Sequence, residues 1–267
     1  MKNRTILFLT GLAALGTLAR ADVLLTESFT YDNGNLITLS GGAWRNHSGT
    51  EPLAVVGGQG VINQGDATGG REDLNRLLSS TFDPATDNTT AIYASFTVSF
   101  SAPPVGTGSY FFHLKSSAAN EFYGRVGATV EGAAPGSFRM SLSNEAWSSA
   151  ATVEYPMDLA LNTSYIVGIK YDLATDRTTL WLNPESEAST SITATDTVSY
   201  AAGGIIEAAA LRQGTSVTTG APGVLTIDNI VVATTFAEGV AVVPEPSTWA
   251  LLGLGTAGLI WAARRRK

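Results

Sequence analysis

Two histidines, His47 and His113, and the absence of cysteine limit what this chain can catalyse. Without cysteine there is no disulfide, no thiolate metal site and no sulfur nucleophile. A serine–histidine–aspartate relay is available by inventory, but no Gly-x-Ser-x-Gly elbow presents a serine. The local pattern assigns His47 to a loop and His113 to the flank of a strand. Glu72 and Asp73 are adjacent, so on a strand they would point to opposite faces; a solvated turn or a helix start suits them better. Glu185 and Glu187 follow Asn183-Pro184 in loop-like sequence. Asp172 and Asp176 read as turn formers, because a short carboxylate accepts from its own backbone. Gly57-Gly58-Gln59-Gly60 matches no phosphate-binding loop and lies where a hairpin turn belongs. Trp44, Tyr123 and Trp147 could form a stacking surface for sugars, although aromatic residues in a β-protein more often fill its core.

The elements that would position these residues are strands. Ala91 to Phe100 alternates, with Ile92, Ala94, Phe96, Val98 and Phe100 on one side and Tyr93, Ser95, Thr97 and Ser99 on the other. Tyr165, Val167, Ile169 and Tyr171 repeat the pattern, and a polar Asp172–Asp176 turn leads into Thr178–Leu182 as a hairpin. Further strands are expected at Val23–Thr30, Leu53–Val56, Gly60–Asn63, Arg76–Thr81, Tyr110–Lys115, Phe122–Val130, Ser137–Ser143, Ile205–Leu211 and Val224–Ala233. Pro- and Gly-rich punctuation separates them. Arg71–Leu78 is the one short stretch with helical periodicity. This pattern predicts an all-β fold, a sandwich closed as a single domain.

Charge is distributed unevenly over the 267 residues. The two ends hold seven of the 16 Lys and Arg and one of the 23 acids, which leaves the body with nine cations against 22 acids, a net charge of −13. Such a body repels polyphosphate, which excludes nucleic acid as a partner.

The strand phrases Leu25-Thr26-Glu27-Ser28-Phe29, Tyr165–Asp172 with Thr179–Pro184, and Leu225–Val232 resemble those of concanavalin-A-like (LamG-type) jelly rolls. The resemblance spans Asp22 to about Phe236. It implies a jelly roll whose last strand pairs near its first, in a fold class that includes lectins, carbohydrate-binding modules and some glycoside hydrolases. Retaining hydrolases of that class carry a Glu-x-Asp-x-x-Glu cluster, which is missing here. No cofactor is implied. A structural calcium in such folds joins an acid on the first strand to one on the last, and Glu27 and Asp228 occupy those places. Two acids are too few to define a site.

The two ends are addresses. Lys2 and Arg4, the apolar run Ile6–Leu18 and the small-x-small triplet Ala19-Arg20-Ala21 form a secretory signal, expected to be cut by signal peptidase after Ala21. At the other end, Thr248–Ala263 is free of charge and spans about 24 Å as a helix, near the short limit for a membrane crossing. Trp249 and Trp261 suit the two interfaces, and Arg264, Arg265, Arg266 and Lys267 hold the terminus in the cytoplasm. Pro244 and Pro246 keep the backbone before the helix extended, with Glu245 between them. This tripartite tail, Val243–Lys267, resembles the PEP-CTERM sorting signal. The resemblance implies handling by an exosortase in a Gram-negative bacterium that makes exopolysaccharide. The chain is thus expected to divide into a signal peptide (1–21), a β-sandwich (22–238), a linker (239–247), a transmembrane helix (248–263) and a basic tail (264–267). Its partners would be signal peptidase, the membrane, an exosortase and extracellular polysaccharide. The reading is an exported binding or structural protein of the cell surface or matrix; the alternative is a lectin or a glycan-active enzyme with an unrecognised site.

Overall fold

The computed structural model describes residues 22–63, 70–87, 89–116, 120–198, 204–214 and 220–240. The expected signal segment with Ala19 and Ala21, and the tail with Pro244, Glu245, Pro246 and Arg264–Lys267, lie outside them. Among the described residues no helix is long and apolar enough to cross a membrane.

The body is the expected all-β sandwich. Its first sheet has the spatial order β15 (Ser191–Ala194), β14 (Arg177–Leu182), β13 (Ser164–Asp172), β7 (Ala91–Ala102), β17 (Val224–Ala233), β5 (Gln59–Ile62), β4 (Ala54–Val56), β2 (Gly34–Asn35). In it β1 (Val23–Glu27) shares the β17 edge with β5. The second sheet runs β11 (Val153–Glu154), β10 (Ser137–Ser143), β9 (Phe122–Thr129), β8 (Ser109–Lys115), β16 (Ile206–Leu211), β6 (Asp73–Phe82), β3 (Trp44–Ser48), with β12 (Leu159–Ala160) beside β10. Two single-turn helices, α1 (Leu36–Leu39) and α2 (Phe236–Gly239), complete the described elements.

The period-two reading of β7 holds: Ile92, Ala94, Phe96, Val98 and Phe100 all enter the core between the sheets. The β13–β14 hairpin also holds, with Asp172 opposite Arg177. Asp172 Oδ1 accepts from the amides of Ala174 and Thr175, and Asp176 takes a positive φ of 49°. Gly57 and Gly58, at φ 60° and 76°, close the β4–β5 hairpin in the two-residue turn that needs left-handed backbone at both positions.

Three expectations are corrected. Arg71–Leu78 is not helical: most of it lies in β6, where pairing with β3 and β16 overrides a local apolar spacing. His47 lies in β3, not in a loop. Glu72 and Asp73 are not a solvated turn. Glu72 is buried and accepts from the Leu53 amide and Asn46 Nδ2, while Asp73 opens β6 and accepts from Ser48 Oγ and the Gln213 amide.

One carboxylate joins the two sheets. Glu27 ends β1 in the first sheet and is buried. It accepts from Trp44 Nε1 of β3 at 2.8 Å, from the Phe29 amide at 2.8 Å and from the Tyr31 hydroxyl at 3.1 Å, and it forms an ion pair with Arg76 of β6. With these partners around its oxygens, Glu27 fits a clasp better than a calcium ligand. Asp228 and Asn229 form the bulge in β17 where β5 gives way to β1 along one edge. Among the described residues no group of three or more acids and histidines could hold a metal ion.

Removing Arg76 leaves a buried charge without its cation, a change that costs about 3 kcal/mol. Arg76→Met should therefore lower the melting temperature of the full-length protein in detergent by about 10 °C. Adding Glu27→Gln to that variant should restore part of the loss, because the stranded charge is gone. Calorimetry of the three proteins checks both expectations.

Candidate functional site

The outer face of the second sheet is built by two matched irregularities. A register shift places both Phe111 and Phe112 of β8 in the core, where each packs on Phe96. Tyr110 and His113 consequently share the outer face, three residues apart instead of two. In β9, Gly124 sits at φ 57° at a second shift, so Tyr123 and Val126 point inward while Phe122 and Arg125 share the outer face.

These side chains form a layered stack. The Arg125 guanidinium lies 5.1 Å from the Phe122 ring centre and 5.0 Å from that of Tyr110. Arg212, just after β16, covers Tyr110 at 4.6 Å. Tyr110 is thus held between two cations, an arrangement favoured by the negative potential of its ring face. Trp147, from the loop after β10, packs against Tyr110 at 5.2 Å between ring centres. It lies over Gly127, where a Cβ would come within 2.2 Å of the indole, so only glycine gives the ring this seat. Beneath the stack is His113, 2% exposed, between Phe122 at 4.5 Å and Tyr110 at 5.4 Å, with His47 at 6.5 Å. Neither of its ring nitrogens has a hydrogen-bond partner among the described residues, and the same holds for the buried hydroxyls of Ser141 and Ser143 in β10. Burial, then the charges of Arg125, His47, Arg212 and Lys115, push His113 well below its ordinary 6.5, so the imidazole is neutral.

A cleft opens at each end of the stack. One, of about 180 Å³, is lined by Thr107, Thr129, Glu131, Trp147, Ser148 and Thr152, among others. The other, of about 360 Å³, is lined by His47, Ser48, Asn75, Lys115 and Asn120. Hydroxyls, amides and half-exposed rings in a line are the groups that recognise sugars. The loop carrying Trp147 is fixed from the neighbouring strands: Asp196 accepts from the amides of Asn144, Glu145 and Ala146, and Asn144 Nδ2 donates to Asp176 and to the Asp196 carbonyl. Glu145, buried there, is pushed up to about 7 by burial and then by Asp176 and Asp196, against the Val198 amide and Arg125.

Of the sequence candidates, only Trp147 belongs to this face as a stacking group. Trp44 and Tyr123 are fully buried in the core. His47 and His113 do come together, but as packed rings. The sequence reading missed Tyr110, Phe122, Arg125 and Arg212. The signal available was the recurrence of aromatic and basic residues three apart in Ser-Tyr-Phe-Phe-His and Glu-Phe-Tyr-Gly-Arg, where a regular strand would place them two apart.

Comparison with known proteins gives two findings. A family model described as the PEP-CTERM protein-sorting motif matches residues 242–267, which include Pro244, Glu245, Pro246 and Arg264–Lys267. No curated protein matches. Similar solved structures include the CBM2 module of the evolved Dit of Lactobacillus casei BL23 phage J-1, 11% identical, covering 80% of this chain and 96% of that one at a TM-score of 0.46. A seed lectin of Lotus tetragonolobus is 15% identical, with 79% and 98% covered at 0.46. The carbohydrate-binding module CBM66 of Bacillus subtilis is 14% identical, with 72% and 96% covered at 0.40.

The raised Glu145 gives a pH dependence with a definite sign. Between its ordinary 4.5 and about 7 the folded state holds a proton that the unfolded state has lost. Its contribution to stability therefore falls as pH rises through that window. Glu145→Gln keeps an acceptor for the Val198 amide and removes the charge. The variant should match the parent near pH 4.5 and exceed it above pH 7, as read from denaturant midpoints across the range.

Proposed function

We propose that this chain is an exported envelope protein, sorted by an exosortase through its PEP-CTERM tail, whose sandwich binds glycan within the extracellular polysaccharide. The sorting half rests on the motif match over residues 242–267. In this reading the signal peptide is cut after Ala21, residues 248–263 span the inner membrane, and Arg264–Lys267 stay in the cytoplasm. Pro-Glu-Pro then stands just outside the bilayer as the recognised element.

The binding half rests on one observation, the Phe122–Arg125–Tyr110–Arg212 stack flanked by Trp147 and two polar clefts. Its place relative to the tail supports the same reading. The last described residues, α2 and Val240, pack on the outer face of the first sheet against Ala91, Tyr93 and Trp181. Gly168 leaves the room that Val240 fills, since a Cβ there would come within 2.6 Å of it. Val240 thus lies on the face opposite the candidate site, and in this reading a domain tethered from there would turn that site away from the tether. A binding role suits the site better than hydrolysis. Of the acids beside the stack, Asp73 pairs with Arg212, Ser48 and Gln213 and Glu145 with the Val198 amide; of the two that line the smaller cleft, Glu131 and Glu154, the second pairs with Arg139.

Glu245 should matter for sorting and leave folding alone. In cells expressing Glu245→Ala, the membrane segment and basic stop remain. The variant should accumulate as a full-length inner-membrane form while the parent is processed and reaches the surface, with equal melting temperatures for the two. Fractionation with detection of the C-terminal fragment measures this. Equal processing and display would contradict recognition of Pro-Glu-Pro and reduce the tail to an anchor.

A further inference from the structure

The cleft of about 180 Å³ at the Trp147 end of the stack lies between the β9–β10 turn and the loop that joins β10 to β11. Its walls differ in chemistry. One is aromatic: the Trp147 ring, seated over Gly127 and against Tyr110, also lines the cleft. The other is polar and comes from the end of β9 and the turn after it, with Thr129 and Glu131. Local hydrogen bonds hold both walls. Thr152 donates its amide and its hydroxyl to the Ser148 carbonyl, which closes the loop beyond Trp147 into a tight turn. Thr129 Oγ1 accepts from the Glu131 amide at 3.0 Å, which fixes where Glu131 leaves the strand.

Two groups of the polar wall have hydrogen-bonding capacity to spare. Thr129 is 3% exposed, and its own O–H has no acceptor among the described residues. The exposed Glu131 carboxylate has neither a hydrogen bond nor an ion pair among them. The nearby cation is engaged elsewhere: Arg139 pairs with Asp158 at 2.7 Å and with Glu154, the other acid of the cleft, at 3.7 Å. Gly132, at φ 66°, lets that guanidinium lie against the turn, since a Cβ there would come within 2.8 Å of Arg139 Nη1. Among the described residues the cleft thus offers a carboxylate without a partner, a donor on a buried hydroxyl and an indole ring, with no cation in its lining.

That set selects by charge and by shape. Two carboxylates and no cation on the walls disfavour a uronate or a phosphate. The two oxygens of an ionised carboxylate accept hydrogen bonds side by side, which is what two neighbouring hydroxyls of a sugar offer. The apolar face of a pyranose suits an indole. A cavity of about 150 Å³ holds one benzene-sized ring. A cleft of about 180 Å³ accordingly has room for one pyranose, with its substituents at the opening.

We propose that this cleft is a subsite for one neutral pyranose unit, with Glu131 accepting from a vicinal diol, Thr129 donating to a ring substituent and Trp147 packing on the sugar's apolar face. The proposal rests on the glycan-binding reading above and narrows it to a neutral sugar at one end of the stack. Further units of an oligomer continue over Tyr110 and its guanidiniums. Hydrolysis would need a second free carboxylate across the bond, and Glu154 is held by Arg139.

The test uses full-length protein in a detergent without a sugar head group, and three probes of equal length: a gluco-oligosaccharide, oligogalacturonate and a glucosamine oligomer. Glucose units carry their ring hydroxyls equatorially, so each presents diols at its edge and apolar faces to a ring. Titration calorimetry should show gluco-oligosaccharide binding that holds as salt is raised, with oligogalacturonate bound at least about ten-fold more weakly. Glu131→Gln keeps an acceptor and loses the charge, so it should weaken gluco-oligosaccharide binding by roughly ten-fold at an unchanged melting temperature. Trp147→Ala should weaken it at least as much. If the gluco-oligosaccharide binds and Glu131→Gln binds it like the parent, the subsite proposal fails while the glycan reading stands. No binding of any of the three probes would overturn both. Oligogalacturonate bound as tightly as the neutral oligomer would overturn the neutral ligand. Glucosamine oligomer bound about ten-fold more tightly than the neutral one, and released by salt, would overturn it in favour of a cationic sugar.

Discussion

Two sheets packed face to face need something to hold their edges in register, and in this chain without disulfides a buried carboxylate does so. Glu27 belongs to the first sheet through β1, yet its oxygens are taken by Trp44 of β3 and Arg76 of β6 in the second. The two strands it grips are those at one edge of the second sheet, next to β16. Phe29, held by the same carboxylate through its amide, stacks on Trp44 at 6.1 Å and closes the corner with an apolar lid. Charge, hydrogen bonds and ring packing converge at one point, so the position of β6, and of β16 and β8 after it, is set from that corner.

The core fixes the sheets and leaves their outer faces to other uses. Tyr123, Trp44 and a run of phenylalanines from β7, β8 and β10 fill the interior. The outer face of the first sheet takes α2 and Val240, packed over Tyr93 and Trp181. Among the described residues, the outer face of the second is covered over its β9–β8 centre by its own stacked side chains and by Trp147. One outer face thus carries α2 and Val240, and the other the stack of rings and guanidiniums. The bulges in β8 and β9 serve that second face: each turns one extra residue inward and so aligns Tyr110 with His113, and Phe122 with Arg125, into a single column.

Much of this fold was legible because period-two alternation is local. β7, β13, β14 and β17 carry it plainly, and the turns between them are written in Asp, Asn and Gly. Trp44-Arg45-Asn46-His47-Ser48 was not read as a strand, since a mostly polar segment at a sheet edge has one buried side chain to announce it. Arg71–Leu78 was misread for a related reason: its apolar spacing is helical, and only partners far away in sequence make it a strand. The tail was legible because a sorting signal must be recognised as a short linear stretch. The candidate site was not, because its residues come from β8, β9, the loop after β10 and the end of β16, and meet only through the strand order of the sheet. The bulges concealed it further, by replacing a spacing of two with a spacing of three.

The claim on which this account turns is the proposal that the outer face of the second sheet binds glycan at the Phe122–Arg125–Tyr110–Arg212 stack. Arginine side-chain Nε–H resonances report this directly. With 15N-arginine in the full-length protein, addition of a gluco-oligosaccharide should shift the signals of Arg125 and Arg212 while that of Arg177, on β14 in the first sheet, stays in place. Shifts confined to Arg177, uniform shifts of all arginines, or none at Arg125 and Arg212 would contradict the account.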